Sequence, residues 1–307
     1  MSETLLLVLL TVVTAATPLV YAAIGELVVE RSGVLNLGVE GMMLAGAVSG
    51  FATMHATGSA PLGVLAGAGA GTALAAVFAF LTLTLQASQV ATGLALTIFG
   101  VGLSALVGQS LVGVALGGLP DLPVPGLSAI PFLGPLLFDH DALVYGSFIL
   151  VAAVAWFLAR TRAGLVLRAV GDSHDAAHAL GYPVIGVRYL ATLFGGACAG
   201  LGGAYLSMAY TPMWAENMSA GRGWIALALV VFAVWQPGRV LLGAYLFGGI
   251  GVLQLHGQGL GLAVPSQLMS MLPYLVTILV LVLISRDAGR IRRNAQASIG
   301  KPFHPTT

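Results

Sequence analysis

The chain has 307 residues, of which 58% are apolar and only 7% charged, with a formal net charge of +1. Soluble domains carry about 25% charged residues, so this composition excludes a water-facing globule, and a mean hydropathy of +0.98 excludes a disordered chain. The 42 glycines follow no G-X-Y period, which excludes collagen, and the apolar runs are continuous rather than alternating, which excludes an outer-membrane barrel. The expected fold is an all-α polytopic membrane helix bundle.

The near-balance of 12 basic and 11 acidic residues leaves no electrostatic footprint for nucleic acid. The single cysteine, Cys198, permits neither an intrachain disulfide nor a cysteine zinc site, and its glycine-rich apolar setting reads as helix packing. The single lysine, Lys301, is followed by Pro302, where a phosphate-binding Walker loop requires Ser or Thr. If ATP drives this chain, the motor is another polypeptide, and no cofactor is expected on the chain itself.

A span takes about 20 apolar residues. Runs that meet or approach this length occupy 4–24, 36–54, 60–85, 89–112, 143–159, 189–210, 238–255 and 268–285. A further run, 222–236, is short and ends at Trp235-Gln236-Pro237, so it is either a steeply packed crossing or a discontinuous helix. The first run follows Glu3 rather than a basic region and reads as a span, not a secretory signal. Small residues four apart (Gly63, Gly67, Gly71; Gly195, Ala199, Gly203) mark helix faces that approach closely in lipid.

Orientation follows the arginines. Arg160, Arg162, Arg168 and Arg188 crowd the 160–188 loop, and Arg286, Arg290, Arg292, Arg293 and Lys301 follow the last run, whereas 113–142 carries acids only. The positive-inside bias puts 160–188 and the tail in the cytoplasm. About nine transmembrane segments result, with the N-terminus outside and the C-terminus inside, or eight if 222–236 is re-entrant. Residues 1–285 are expected to form the transmembrane domain, with 160–188 as its cytoplasmic loop, and 286–307 a basic cytoplasmic tail.

Four segments carry the candidate chemistry. In 26–43, three glycines interrupt the chain, Asn36 is a candidate N-cap for the second span, and Glu40 falls in its first turn. Either Glu26, Glu30 and Arg31 are cytoplasmic-end charges and Glu40 is simply stabilised by the positive helix terminus, or the glycine-interrupted helix presents free backbone groups and Asn36 to a polar cavity near the midplane. A charge such as Glu40, apolar on both sides, favours the cavity. Gln89 and Thr92 share a helical face and either line the passage or bond between helices. In 160–188, Asp172 or Ser173 caps a short helix whose apolar face is Ala176, Ala177 and Leu180, with Gly181 as its left-handed terminus. That helix packs on the loop's own membrane ends or docks into a soluble partner. His174 and His178 flank an Asp rather than a Glu, so the zinc-helix pattern is incomplete. Trp214 and Trp224, with Glu216, Asn217 and Arg222, read as an external interfacial stretch or as a landing surface for an external protein.

These segments together resemble the permeases of bacterial ABC importers in the branched-chain amino acid and simple-sugar permease family, on its nucleoside branch. The resemblance rests on Glu30-Arg31-Ser32-Gly33-Val34-Leu35-Asn36-Leu37-Gly38-Val39-Glu40-Gly41-Met42-Met43, on Gln89-Val90-Ala91-Thr92-Gly93, on Arg168-Ala169-Val170-Gly171 through Gly181, and on Gly221-Arg222-Gly223-Trp224. It implies that 172–181 is the coupling helix for the ATPase, with Asp175-Ala176-Ala177 and Gly181 matching a Glu-Ala-Ala-x-x-x-Gly pattern, Asp for Glu. It further implies a second homologous permease, an external binding lipoprotein, residence in the bacterial plasma membrane, and alternating access for a nucleoside or simple sugar. Thr97 stands where the nucleoside branch favours Asn. The substrate-pathway candidates are Asn36, Glu40, Gln89, Thr92, Thr97 and Trp224; the coupling candidates are Asp172, Ser173, Asp175, Ala176, Ala177, Leu180 and Gly181. A stand-alone secondary transporter or channel is the alternative, and a membrane enzyme rests only on the histidine pair.

Overall fold

In the computed structural model, residues 2–128, 130–259 and 295–304 are described, with isolated residues between 268 and 282. The run 268–285 and the arginines at 286, 290, 292 and 293 therefore lie largely or wholly outside the described residues. The elements are α1 (Ser2–Arg31), α2 (Val39–Thr57), α3 (Ala60–Ala79), α4 (Gln89–Gly108), α5 (Leu133–Phe138), α6 (Ala142–Arg160), α7 (Arg162–Asp172), α8 (His174–Ala179), α9 (Val184–Tyr205), α10 (Arg222–Phe232) and α11 (Pro237–Gly259). α3 and α9 each end in a π-helical turn, Phe80–Thr84 and Leu206–Tyr210. No strand forms among the described residues, where only isolated bridges occur.

Among the described residues, five helices are long and apolar enough to cross a membrane: Leu5–Arg31, Ala60–Thr84, Gln89–Leu111, Ala142–Arg160 and Val184–Tyr210. α2 is different. It is buried along most of its length, enclosed by α3, α9, α4 and α10. A helix that faces protein rather than lipid can carry Glu40, glycines and Ser49, which is why its residues are less greasy than those of its neighbours.

The small-residue pattern has the packing role expected of it. A Cβ on Gly71 would drive into the carbonyl oxygen of Gly196, and one on Gly200 into that of Gly67, so α3 and α9 meet backbone to backbone. Gly203 abuts the Met43 carbonyl of α2 in the same way. With no hydrophobic drive between helices in lipid, close backbone approach supplies the dispersion energy instead.

α10 is the helical part of the short run 222–236. Eleven residues of helix rise roughly 16 Å, about half the hydrocarbon thickness. Its start touches Glu40 at the beginning of α2, through Gly221 and Gly223. Its end reaches the last turn of α1, where Arg31 donates to the Trp235 carbonyl oxygen at 2.8 Å. The helix is a broken one, joined to α11 through Val234 and Trp235, both in left-handed conformation at φ 52° and 50°.

Candidate functional site

The segment between α1 and α2 is irregular backbone inside a helix bundle, and each of its polar groups needs a partner. Side chains from three directions supply them. The Leu35 N–H donates to Gln89 Oε1 at 2.8 Å, and the Thr97 hydroxyl donates to the Leu37 carbonyl oxygen at 2.9 Å. The Asn36 N–H donates to Glu26 Oε1 at 3.3 Å. Asn36 itself closes a local turn, its Oδ1 accepting from the Gly38 N–H at 2.9 Å. The helix begins only at Val39, with Gly38 at the N-cap, so Asn36 is not the cap its position suggests. Its side chain is satisfied two residues on, as Asn does in turns.

Glu40 lies in the first turn of α2, as expected, and its buried carboxylate is fully used. Oε1 accepts from the Ser219 hydroxyl at 2.6 Å and the Gly221 N–H at 2.8 Å, and Oε2 accepts from the Gly223 N–H at 2.6 Å. The carboxylate of one helix thus sits on the N-terminus of another, where the helix dipole favours negative charge. A Cβ on Gly223 would lie 2.6 Å from the Glu40 Cα, so only glycine admits this approach. Trp224, next in the chain, is 39% exposed.

The pathway candidates Asn36, Gln89, Thr97 and Glu40 are therefore brought together around the start of α2, between α4 and α10. Trp224 adjoins them through Gly223, and Thr92 stands one turn beyond Gln89 on α4, half-buried. Gln89 Nε2 and Glu26 Oε2 are buried there without a hydrogen-bond partner among the described residues.

Glu26 and Glu30 are not charges at a solvent-facing end. Each is 1% exposed, and Glu30 Oε2 accepts from the indole N–H of Trp235. Trp214 is no interfacial anchor either: at 2% exposure it fills a pocket of Ala47, Val48, Phe51 and Leu111. Arg222 lies with its guanidinium 5.6 Å from the Tyr210 ring centre and donates to the Met218 and Ser219 carbonyls.

At the end of the bundle where α1 terminates, α7 and α8 stand outside the long helices. The Ser173 hydroxyl accepts from the Ala176 N–H at 3.3 Å, and Gly181 takes φ 84° with its N–H donating to the His178 carbonyl oxygen. Both expected caps of the short helix are formed. Asp172 closes α7 instead. Ala177 is buried, while Leu180 is 76% exposed and Asp175 faces solvent. His174 and His178 do share a face, and what they meet is the ring of Phe303.

The family model described as Branched-chain amino acid transport system / permease component matches residues 8–281. The chain belongs to this permease family. Among its relatives is TsgC13 of Haloferax volcanii, an ABC transporter permease protein named for glucose, 44% identical over 88% of both chains. The nucleoside ABC transporter permease protein NupC of Lactococcus lactis is 33% identical over 92% of this chain and 93% of its own. The guanosine ABC transporter permease protein NupQ of Bacillus subtilis is 32% identical over 87% and 88% respectively. The permease is thus a multi-pass membrane protein and the transport subunit of an ABC system.

Proposed function

We propose that this permease moves a nucleoside or a simple sugar inward across the bacterial plasma membrane by alternating access. The work comes from a separate ABC ATPase, and cargo from an external binding lipoprotein. A second, homologous permease completes the passage, and no cofactor resides on this chain. The observation that carries the reading is α8: a short helix capped at both ends, with Leu180 and Asp175 turned to solvent, in a chain whose named relatives are nucleoside and glucose ABC permeases. A helix this short is not stable alone, and an exposed leucine at its tip suits a groove on a partner.

Polar groups gathered at the start of α2 suit a polyhydroxylated solute. Gln89 offers its free amide N–H groups, and Trp224 a ring face of the kind that stacks on a base or a sugar. In topology, Arg31, Arg160, Arg162, Arg168, Arg188, Arg239 and Lys301 all belong to the end of the bundle that carries α8. That asymmetry supports a cytoplasmic α8, an external N-terminus, and nine crossings with α10 as the broken one.

The test is uptake in cells expressing the permease with its ATPase and binding protein, competed with uridine, ribose, glucose and leucine. Suppression by uridine or a sugar and not by leucine is expected. Deleting residues 173–180 should abolish ATPase co-purification while leaving membrane insertion intact. Uphill uptake by the purified permease alone, driven by a proton or sodium gradient without nucleotide, overturns the proposal.

A further inference from the structure

α8 is held from behind by a segment far away in the chain. Phe303 is buried, its ring centre 5.4 Å from that of His174 and 5.2 Å from that of His178, both at steep angles. With Val170, Ala177 and Val184 it forms a small apolar cluster of its own. The segment is tied along its length: the Ser298 N–H donates to the Gly171 carbonyl oxygen at 3.0 Å and the Gly300 N–H to that of Gly33 at 3.1 Å. The Phe303 carbonyl oxygen accepts from Gln86 Nε2 at 3.1 Å.

Arg188 joins these parts. Only 1% exposed, its guanidinium donates through Nε to the Ser32 carbonyl oxygen at 3.2 Å, through Nη1 to that of Lys301 at 3.1 Å, and through Nη2 to His174 Nδ1 at 3.2 Å. One planar fork thereby fixes the α1–α2 turn, the C-terminal segment and α8 in a single register, which a lysine's point charge does not reproduce. Facing outward from the same unit are Asp175, Leu180, Tyr182, Lys301, Pro302 and His304.

We propose that the ATPase-docking surface of this permease is composite: residues 298–304 form a strap, pinned by Arg188, that holds α8 against the α1–α2 turn and places Lys301 and His304 beside Leu180 on the face the ATPase meets. The occupant is the ATPase subunit, which meets the exposed Leu180 and Lys301. The inference rests on the coupling reading above and extends it. Force on α8 reaches Ser32 and Gly33 through Arg188 and the strap, and those residues adjoin the Asn36 turn at the polar seam. The path is a contiguous set of hydrogen bonds and packed rings.

The experiment co-expresses the full-length permease with its cognate ABC ATPase in membranes and measures ATPase retained on purification. The variants are a truncation after Asn294, Phe303→Ala, and the solvent-facing Lys301→Glu, which leaves the buried contacts in place. Retention is expected to fall about tenfold or more for the truncation and severalfold for Lys301→Glu, a loss of roughly 1 kcal/mol. If the intact permease retains the ATPase and both the truncation and Lys301→Glu retain it equally well, the composite surface is wrong. If the intact permease itself retains none, the coupling reading fails first.

Discussion

Arg188 Nη2 lies 3.2 Å from His174 Nδ1, so the guanidinium donates to a neutral imidazole. Burial first, and then the charge of Arg188, hold the His174 pKa below its ordinary value of 6.5, with Lys301 adding in the same direction and Asp175 opposing. The folded state therefore resists a proton that the unfolded chain accepts. Above pH 6.5 both states are neutral and the contribution is complete; as pH falls through 6.5 toward the folded value, it is lost.

Protection of the Ser298 and Gly300 amides from hydrogen exchange is accordingly expected to fall between pH 7.5 and 5.5. His174→Gln keeps an acceptor for Arg188 without a titration in this range, and should flatten the pH response. A profile as steep in His174→Gln as in the parent assigns the response to another group.

Glu40→Ala leaves the Ser219 hydroxyl and the Gly221 and Gly223 N–H groups without their acceptor. Losing charged hydrogen bonds in a buried setting costs about 3 kcal/mol, so detergent-solubilised protein should melt several degrees lower. Glu40→Gln keeps one oxygen and should lose about half as much. Thermal unfolding monitored by tryptophan fluorescence, with Trp224 next to the altered contact, reads both.

The parts of this architecture legible in the sequence depend on near neighbours. Ser173 and Gly181 cap α8 because their partners, Ala176 and His178, lie within one turn, and spacing alone specifies that. Small residues at every fourth position identify the α3 face, Gly63, Gly67 and Gly71, before its partner is known; on α9 the residues that meet α3 are Gly196 and Gly200, while Gly195 and Gly203 turn to α1 and α2. Asn36 misleads because a side chain that prefers turns and caps alike chose Gly38 over the helix. Glu30 reads as a charge at the membrane end because its partner, Trp235, is 205 positions away. Arg188 looks like one more positive-inside arginine, yet it bonds Ser32 and Lys301, 156 and 113 positions distant. Trp214 is hidden by residues of α2 and the end of α4, which no local pattern brings to it.

Backbone contact between α3 and α9 predicts a sharp contrast within one helix. Gly71→Val places a branched side chain against the Gly196 carbonyl and Gly200 and should force the helices apart, at about 3 kcal/mol or more. Gly69, two residues earlier, meets nothing within 4 Å, and Gly69→Ala should raise stability by about 0.5–1 kcal/mol through helix propensity. Fluorescence-detected gel filtration of tagged variants distinguishes the two: aggregation or loss for Gly71→Val, an unchanged peak for Gly69→Ala.

Gln89 and Thr97 hold the same stretch of backbone from α4, but only Gln89 has a free donor. Thr97→Val removes one hydroxyl bond to the Leu37 carbonyl oxygen at nearly constant volume, so stability should fall by about 1 kcal/mol with a small change in uptake KM. Gln89→Leu removes the acceptor of the Leu35 N–H and also the Nε2 that has no partner among the described residues. Its stability cost should be about 1–3 kcal/mol. If Nε2 binds cargo, KM must rise well beyond the change in Thr97→Val. Uptake kinetics of both variants, normalised to folded protein in the membrane, decide the matter. Equal KM values would confine Gln89 to holding the turn, and a selective rise for Gln89→Leu would place its amide in the passage.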